Sequence, residues 1–199
     1  MKYPLSLLAL TLTLAGCTDP QEATSSNFSK SIQNFYNGLQ PAICLPLPQN
    51  KTPFVLVNSS FDKRQADILV KLGLLSSKPT QVEVNQLFGS AIKEGMEYEM
   101  TKDGEKYFVE DTHTNKFCTG RYSVKNIENF TSPNPHNGIT VSYVNFTYTI
   151  EELAKWAENP AILEFDGKLK QLLEAPERKG KATLLLTNKG WVHEQLFRQ

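Results

Sequence analysis

Histidines and their acidic neighbours are the side chains of this chain best suited to metal binding or proton transfer. A zinc protease holds its metal with two imidazoles one helical turn apart, but His113, His136 and His193 lie far apart in the sequence. Glu194 follows His193 in a predicted strand, where neighbouring side chains point to opposite faces. Asp111 and His113 fall on one side of a polar segment that we predict to be a solvated loop. The pattern therefore predicts neither a metal site nor a bound cofactor.

The other common catalytic patterns do not occur in the sequence. There is no Gly-x-Ser-x-Gly nucleophile turn and no glycine-rich phosphate loop. Glu97 and Glu99 share one face of a predicted strand, an arrangement typical of the solvated side of a sheet. Trp156 and Trp191 are interpreted as core aromatic side chains, with the lining of a pocket for lipid, glycan or peptide as the alternative. We therefore predict no catalytic residues.

The first 18 residues carry a pattern typical of secretion. Lys2 precedes an apolar stretch from Leu5 to Leu14, whose length suits a signal peptide and is too short to span a bilayer. The stretch ends in Leu14-Ala15-Gly16-Cys17, which resembles the lipobox of bacterial lipoproteins. An ordinary secretory signal with a cysteine nearby by chance, or an uncleaved buried segment, are the alternatives. The resemblance predicts a signal peptide over residues 1–16.

The lipoprotein resemblance also implies a membrane anchor. In that family the cysteine becomes the mature N-terminus and carries a thioether-linked diacylglycerol and an amide-linked acyl chain, so Cys17 is the predicted lipid-attachment residue. Two or three acyl chains, at about 0.8 kcal/mol per buried CH₂, would hold a domain firmly on a bilayer. Thr18 follows in place of Asp, which by the same resemblance favours the periplasmic leaflet of the outer membrane over the inner membrane. Residues 17–27 are small and polar, and we expect them to form a flexible tether.

Two further cysteines, Cys44 and Cys118, remain once Cys17 is acylated. In an oxidising periplasm these two thiols have one intramolecular pairing. We therefore predict a disulfide between them. Two separate buried thiols are the alternative, since free cysteine is among the most buried residue types.

The composition argues for one globular domain without a strongly charged partner. The 199 residues include 21 Lys and Arg against 21 Asp and Glu, with no basic block, so we predict no nucleic-acid partner. An apolar content of 40% is ordinary for a folded domain. We expect a single periplasmic domain over residues 28–199, with a division into lobes 28–115 and 116–199 as an alternative.

Hydrophobic periodicity predicts an α+β fold, a predominantly antiparallel sheet with short helices. The predicted helices are 28–39, 60–73 (begun by Ser60), 152–157 (begun by a capping box of Thr149 and Glu152) and 166–175. The predicted strand regions are 54–57, 82–84, 97–109 with a hairpin turn at 102–105, 118–125, 144–150, and 182–196 with a turn at 188–190. Residues 131–138 are predicted to form a loop.

A second resemblance covers the middle of the chain. The runs Leu69-Val70-Lys71-Leu72-Gly73-Leu74-Leu75 and Tyr98-Glu99-Met100-Thr101-Lys102-Asp103-Gly104 are similar to the helix-to-wing segment of winged-helix domains. This resemblance implies a winged-helix-like N-terminal lobe within residues 61–108, in whose DNA-binding members the helix at 61–72 would enter the major groove. Asp62 and Asp67 offset the basic residues of that helix, so we expect the shape without DNA binding.

The leading functional hypothesis is a membrane-anchored lipoprotein that is not an enzyme and that binds a protein or another component of the cell envelope. An inhibitor or immunity protein against a periplasmic toxin is one alternative. An envelope-acting enzyme with an unrecognised site is the other.

Overall fold

The fold was analysed in a computed structural model, which describes residues 19–87 and 89–197. Its helices are α1 (Ser25–Asn37), α2 (Phe61–Lys71), α3 (Lys102–Glu105), α4 (Ile162–Phe165), α5 (Lys168–Glu174) and α6 (Glu194–Phe197), with a 3₁₀ turn at Lys155–Glu158. The strands are β1 (Ile43–Pro46), β2 (Phe54–Val57), β3 (Leu75–Gln86), β4 (Gly89–Met100), β5 (Phe108–Val109), β6 (Lys116–Thr119), β7 (Arg121–Phe130), β8 (Asn134–His136), β9 (Ile139–Glu151), β10 (Arg178–Thr187) and β11 (Gly190–His193).

The strands form three sheets, and every pairing within the described residues is antiparallel. Their orders are β1-β6-β5, β2-β4-β3, and β11-β10-β9-β7 with β8 beside β9. The predicted α+β class is confirmed. None of the helices in the described ranges is long and apolar enough to cross a membrane.

The first hydrophobic core joins the two smaller sheets to α2. Leu69 of α2, Leu45 of β1, Tyr98 of β4 and Phe117 of β6 are almost fully buried in it. Ile162 of α4 belongs to the same core, although it lies far along the chain. Residues from both predicted lobes, 28–115 and 116–199, therefore pack together here.

The second core lies between α1 and the large sheet. Phe28 and Ile32 of α1 are fully buried against Val144, Phe146 and Leu184. The N-terminal helix thus covers a sheet made from the C-terminal half of the chain. The lobe alternative at residues 115 and 116 does not describe these cores, because the chain crosses between them more than once.

Helix α1 confirms the helix predicted from Phe28 onward, and it begins three residues earlier. The Thr24 side chain caps it by accepting a hydrogen bond of 3.2 Å from the backbone N–H of Asn27. Phe28 and Ile32, one helical turn apart, form its buried face.

The predicted disulfide is present. Cys44 of β1 and Cys118 of β6 are directly opposite in the antiparallel pair, with their Cα atoms 4.1 Å apart. The bond ties together strands that lie 74 residues apart in the sequence.

The hairpin predicted to turn at residues 102–105 is wrong. Thr101 caps the short helix α3 there: its side-chain oxygen accepts from the backbone N–H of Gly104 at 2.9 Å, and its hydroxyl donates to the Gly73 carbonyl at 2.7 Å. A β-carbon at Gly104 would collide with the Leu74 carbonyl oxygen, so this turn is packed against the body. The hairpin instead joins β3 and β4, whose last pair is Gln86 and Gly89, and β5 pairs with β6.

The continuous strand predicted over 118–125 is divided between two sheets. Gly120 separates β6 from β7 at a φ of 82°, a region that favours glycine. A β-carbon there would lie 2.8 Å from the Ile150 side chain. Position 120 therefore requires glycine for both conformation and space.

The capping box predicted at Thr149 and Glu152 is also wrong. Thr149 lies within β9, and Glu152 takes a φ of 56° as the chain turns. The Thr119 hydroxyl instead accepts a hydrogen bond from the backbone N–H of Ala154 at 2.9 Å. A hydrogen bond to a distant strand thus holds the chain at Ala154 in place of the local capping box.

The loop predicted at 131–138 contains the short strand β8. Asn137 and Gly138, with φ values of 51° and 81°, form a two-residue turn that pairs β8 with β9. The winged-helix resemblance of residues 61–108 stays a prediction; the structure places α2 before the β3–β4 hairpin, with β2 beside β4.

Candidate binding groove

Helix α2 builds one wall of the candidate site. Ala66 and Leu69 turn one side of the helix into the first core, where both are fully buried. Phe61, at the start of the helix, is 95% exposed. Since Phe61 and Ile68 are seven residues apart, they lie on one stripe of the helix. The apolar stripe of α2 thus extends beyond the part that the core covers.

Helix α4 supplies the opposite wall. The Lys71 ammonium group contacts the Glu164 carboxylate at 2.8 Å, and the Asn159 side chain donates to the Lys71 carbonyl oxygen at 3.2 Å. These contacts hold the end of α2 beside α4. The groove between them has a volume of about 530 Å³ and is lined by Ser60, Phe61, Arg64, Gln65, Ile68, Glu164 and Phe165.

Two charged side chains line the groove, Arg64 and Glu164; Glu164 pairs with Lys71, and further charges of α2 are paired beside the groove. Lys63 contacts Asp67 at 2.6 Å, and the Tyr98 hydroxyl donates to the same carboxylate at 2.7 Å. Burial and this hydrogen bond raise the pKa of Tyr98, so its hydroxyl keeps its proton and acts as a donor. Arg64 is exposed and makes no ion pair within residues 19–87 and 89–197.

The groove therefore combines an exposed aromatic ring with a guanidinium group that has no carboxylate partner among the described residues. Phe61 and Arg64 are three residues apart, so both side chains project from the same side of α2. Phe165 adds a second apolar surface from the opposite wall. This arrangement can receive an apolar side chain and a neighbouring carboxylate together.

A smaller groove lies between α1 and the edge of the large sheet. Its volume is about 290 Å³, and Phe35, Tyr143, Lys181 and His193 are among its lining residues. The His193 ring stacks on Phe35 with ring centres 3.8 Å apart. His193 Nδ1 accepts a hydrogen bond from the backbone N–H of Gln195 at 3.3 Å. The His193 ring thus lines this groove and is held in place by its packing.

Burial lowers the pKa of His193 below its ordinary value of 6.5. As the pH falls below this value, the unfolded chain takes up a proton that the folded chain resists, so folding stability falls. We expect the urea midpoint to drop more between pH 7.5 and pH 5.5 in the native chain than in His193→Gln. Equal pH dependence in the two proteins would contradict this assignment. His136→Gln, at an exposed position, serves as the matched control.

Asp111 and His113 lie in a loop, as the sequence predicts; His113 is exposed, and the Asp111 side chain is partly covered. The Asp111 carboxylate contacts Lys116 at 2.7 Å and accepts from the backbone N–H of His113 at 2.9 Å. These two contacts hold the pKa of Asp111 well below its usual range. The carboxylate therefore stays ionised and fixes the turn, which Asn115 closes by accepting a hydrogen bond from the backbone N–H of Asp111 at 3.0 Å.

The remaining predicted candidates do not gather at one place. Glu97 contacts Lys78 at 3.1 Å on the sheet surface, and Glu99 is exposed. Trp156 and Trp191 are buried in different cores, consistent with the packing interpretation. The three histidines lie in different elements, and no group of three or more His, Cys, Asp or Glu in the described ranges is placed to hold a metal ion. Cys17 lies outside the described residues.

Sequence reasoning did not single out Phe61 or Arg64. The apolar stripe of α2 was visible in the sequence, and its extension to Phe61 was the available signal. That the core ends one turn short of Phe61 is a property of tertiary packing. Comparison of the chain with protein-family models, curated proteins and solved structures finds no match.

Proposed function

We propose that this chain is a lipid-anchored bacterial envelope protein whose folded domain binds a protein partner through the α2–α4 groove and is not itself an enzyme. The lipobox resemblance at Leu14–Cys17 supports the anchor, with the domain facing the periplasm and the outer membrane favoured. The groove supports the binding role.

The exposed ring of Phe61 beside Arg64 is the observation that carries the binding proposal. A phenylalanine that is 95% exposed leaves nearly all of its apolar surface in water, and burying such a side chain is worth about 2 kcal/mol. Aromatic residues and arginine are enriched in the cores of protein interfaces. Their juxtaposition on one helix face favours a docking surface.

The partner's chemistry follows from the groove. Phe61 and Phe165 offer apolar contact, whereas Ile68 is almost fully buried in the first core, so the partner presents an apolar side chain to the two rings. Arg64 lines the same groove and can pair with a carboxylate in bidentate geometry. The partner segment is therefore expected to carry an acidic residue next to its apolar anchor.

Photo-crosslinking in intact cells tests this proposal. We expect benzoylphenylalanine at position 61 to give one discrete protein adduct, and the same group at Leu87, which is 97% exposed on the β3–β4 hairpin, to give none of that size. Arg64→Glu should reduce the adduct at least about ten-fold, because loss of a hot-spot contact costs about 1.4 kcal/mol or more. Arg64→Lys should retain part of it.

Three results would contradict the proposal. They are no adduct from position 61 across growth conditions, an identical adduct from position 87, or an adduct that Arg64→Glu leaves unchanged. The Arg64 variants are at an exposed position without an ion pair in the described chain, so their folding is expected to match that of the native protein.

A further inference from the structure

The segment preceding α1 is fixed to the folded domain. The Asn27 side chain donates to the carbonyl oxygens of Asp19 and Glu22, at 2.7 and 2.9 Å. The backbone N–H of Gln21 donates to the Asp19 carboxylate at 2.9 Å. Within the predicted tether 17–27, the stretch from Asp19 onward is thus held by hydrogen bonds to the buried side chain of Asn27.

The same segment is attached to the end of the large sheet. The Trp191 indole N–H lies 3.1 Å from the Gln21 carbonyl oxygen and 3.2 Å from that of Glu22. Pro20 packs so closely on Gly190 that a β-carbon at 190 would lie 2.8 Å from the Pro20 carbonyl oxygen. Residues 19–22 are thus part of the surface around the β10–β11 turn.

Very little chain separates this surface from the predicted lipid. Asp19 is two peptide units from Cys17, and each unit spans at most about 3.8 Å, so their Cα atoms lie within about 8 Å. A free ten-residue tether would span roughly 17 Å and would let the domain turn. Because residues 19–22 are bonded to the domain, no free tether of that length remains between the domain and Cys17.

We propose that the surface at this end of the large sheet, which consists of Asp19–Glu22 and the Asn188–Gly190 turn, rests on the lipid headgroups. This contact holds the domain in one orientation on the bilayer. This inference rests on the proposed lipid at Cys17. The opposite end of β10, at Arg178, lies about 30 Å away along the strand, since each residue advances about 3.3 Å.

The chemistry of this surface suits headgroups and not the hydrocarbon layer. Asp19, Gln21, Glu22, Asn188 and Lys189 are all exposed and polar or charged. Their signs are mixed, so the surface has no strong attraction to anionic lipid and fits zwitterionic headgroups. Contact with the headgroups alone orients the domain without inserting it into the hydrocarbon layer.

Fluorescence quenching on vesicles tests the orientation. The full lipoprotein offers no free thiol if Cys17 is acylated and Cys44 and Cys118 are bonded, so Lys189→Cys and Glu177→Cys can each carry a single fluorophore. Vesicles of phosphatidylethanolamine and phosphatidylcholine would contain a headgroup spin-labelled lipid as the quencher. We expect several-fold stronger quenching at 189 than at 177, which precedes the far end of β10.

A matched spacer variant separates orientation from anchoring. Ten Gly and Ser residues inserted between Thr18 and Asp19 should leave the lipid in place and remove most of the difference between the two labels. Intact mass measurement of each protein reports acylation. Equal quenching at 189 and 177 in an acylated protein would overturn the orientation and leave the anchor standing, whereas an unmodified Cys17 would overturn both.

Discussion

Replacing Cys44 and Cys118 together by alanine should lower the free energy of unfolding by about 4 kcal/mol. The disulfide closes a loop of 74 residues, and in the chain-entropy account a loop of this length restricts the unfolded ensemble by that amount. The measurement is urea denaturation of the native and doubly substituted proteins under oxidising conditions. The double variant is used because a single substitution would leave one reactive thiol.

A reductant provides the matched control for this prediction. Adding it to the native protein should lower the unfolding midpoint towards that of the double variant and should leave the double variant unchanged. A loss below about 1 kcal/mol, or a midpoint that the reductant raises, would contradict the assigned role. The bond joins β1 to β6 beside the place where the chain passes at Gly120 from one sheet into the next.

The elements that local patterns determine were predictable from the sequence. The 3.6-residue period of Phe28 and Ile32 gave α1, and the apolar run at 54–57 gave β2. Counting cysteines gave the disulfide, because only one pair remained. The cysteine count could not predict the β1–β6 register, which places Cys44 opposite Cys118.

The elements that failed are those in which a distant contact replaces a local preference. Residues 102–105 have a turn composition, but Thr101 bonds to Gly73 and the segment becomes a helix packed on Leu74. Thr149 could cap a following helix, yet it stays in β9 while the Thr119 hydroxyl oxygen accepts the hydrogen bond from the Ala154 backbone N–H. Local rules could not anticipate partners that lie about thirty residues away.

The two cores show why the site was less predictable than the fold. Helix α1 packs on strands from the second half of the chain, and α4 returns to pack beside α2. The groove exists because α4 covers one side of α2 and leaves Phe61 uncovered. No pattern within residues 61–71 predicts which element packs against α2 or which of its side chains that element leaves exposed.

Replacing Phe28 by alanine should destabilise the protein by about 3–5 kcal/mol. Phe28 is fully buried, with its ring 4.7 Å from that of Phe130 and 4.9 Å from that of Trp191 in edge-on contacts. Truncation removes the buried ring and leaves a cavity between α1 and the sheet. Urea denaturation, with tryptophan fluorescence as the signal, measures the loss.

Phe61→Ala is the matched control, since it makes the same chemical change at the start of the other long helix. Its ring is almost entirely exposed, so the free energy of unfolding should change by no more than about 0.5 kcal/mol. The effects should be reversed when capture of the partner is measured in detergent-solubilised envelopes. Phe61→Ala should lose partner capture, while folded Phe28→Ala should keep it. A destabilised Phe61→Ala protein would mean that the ring stabilises the fold. The main observation that supports a partner at the groove would then be removed.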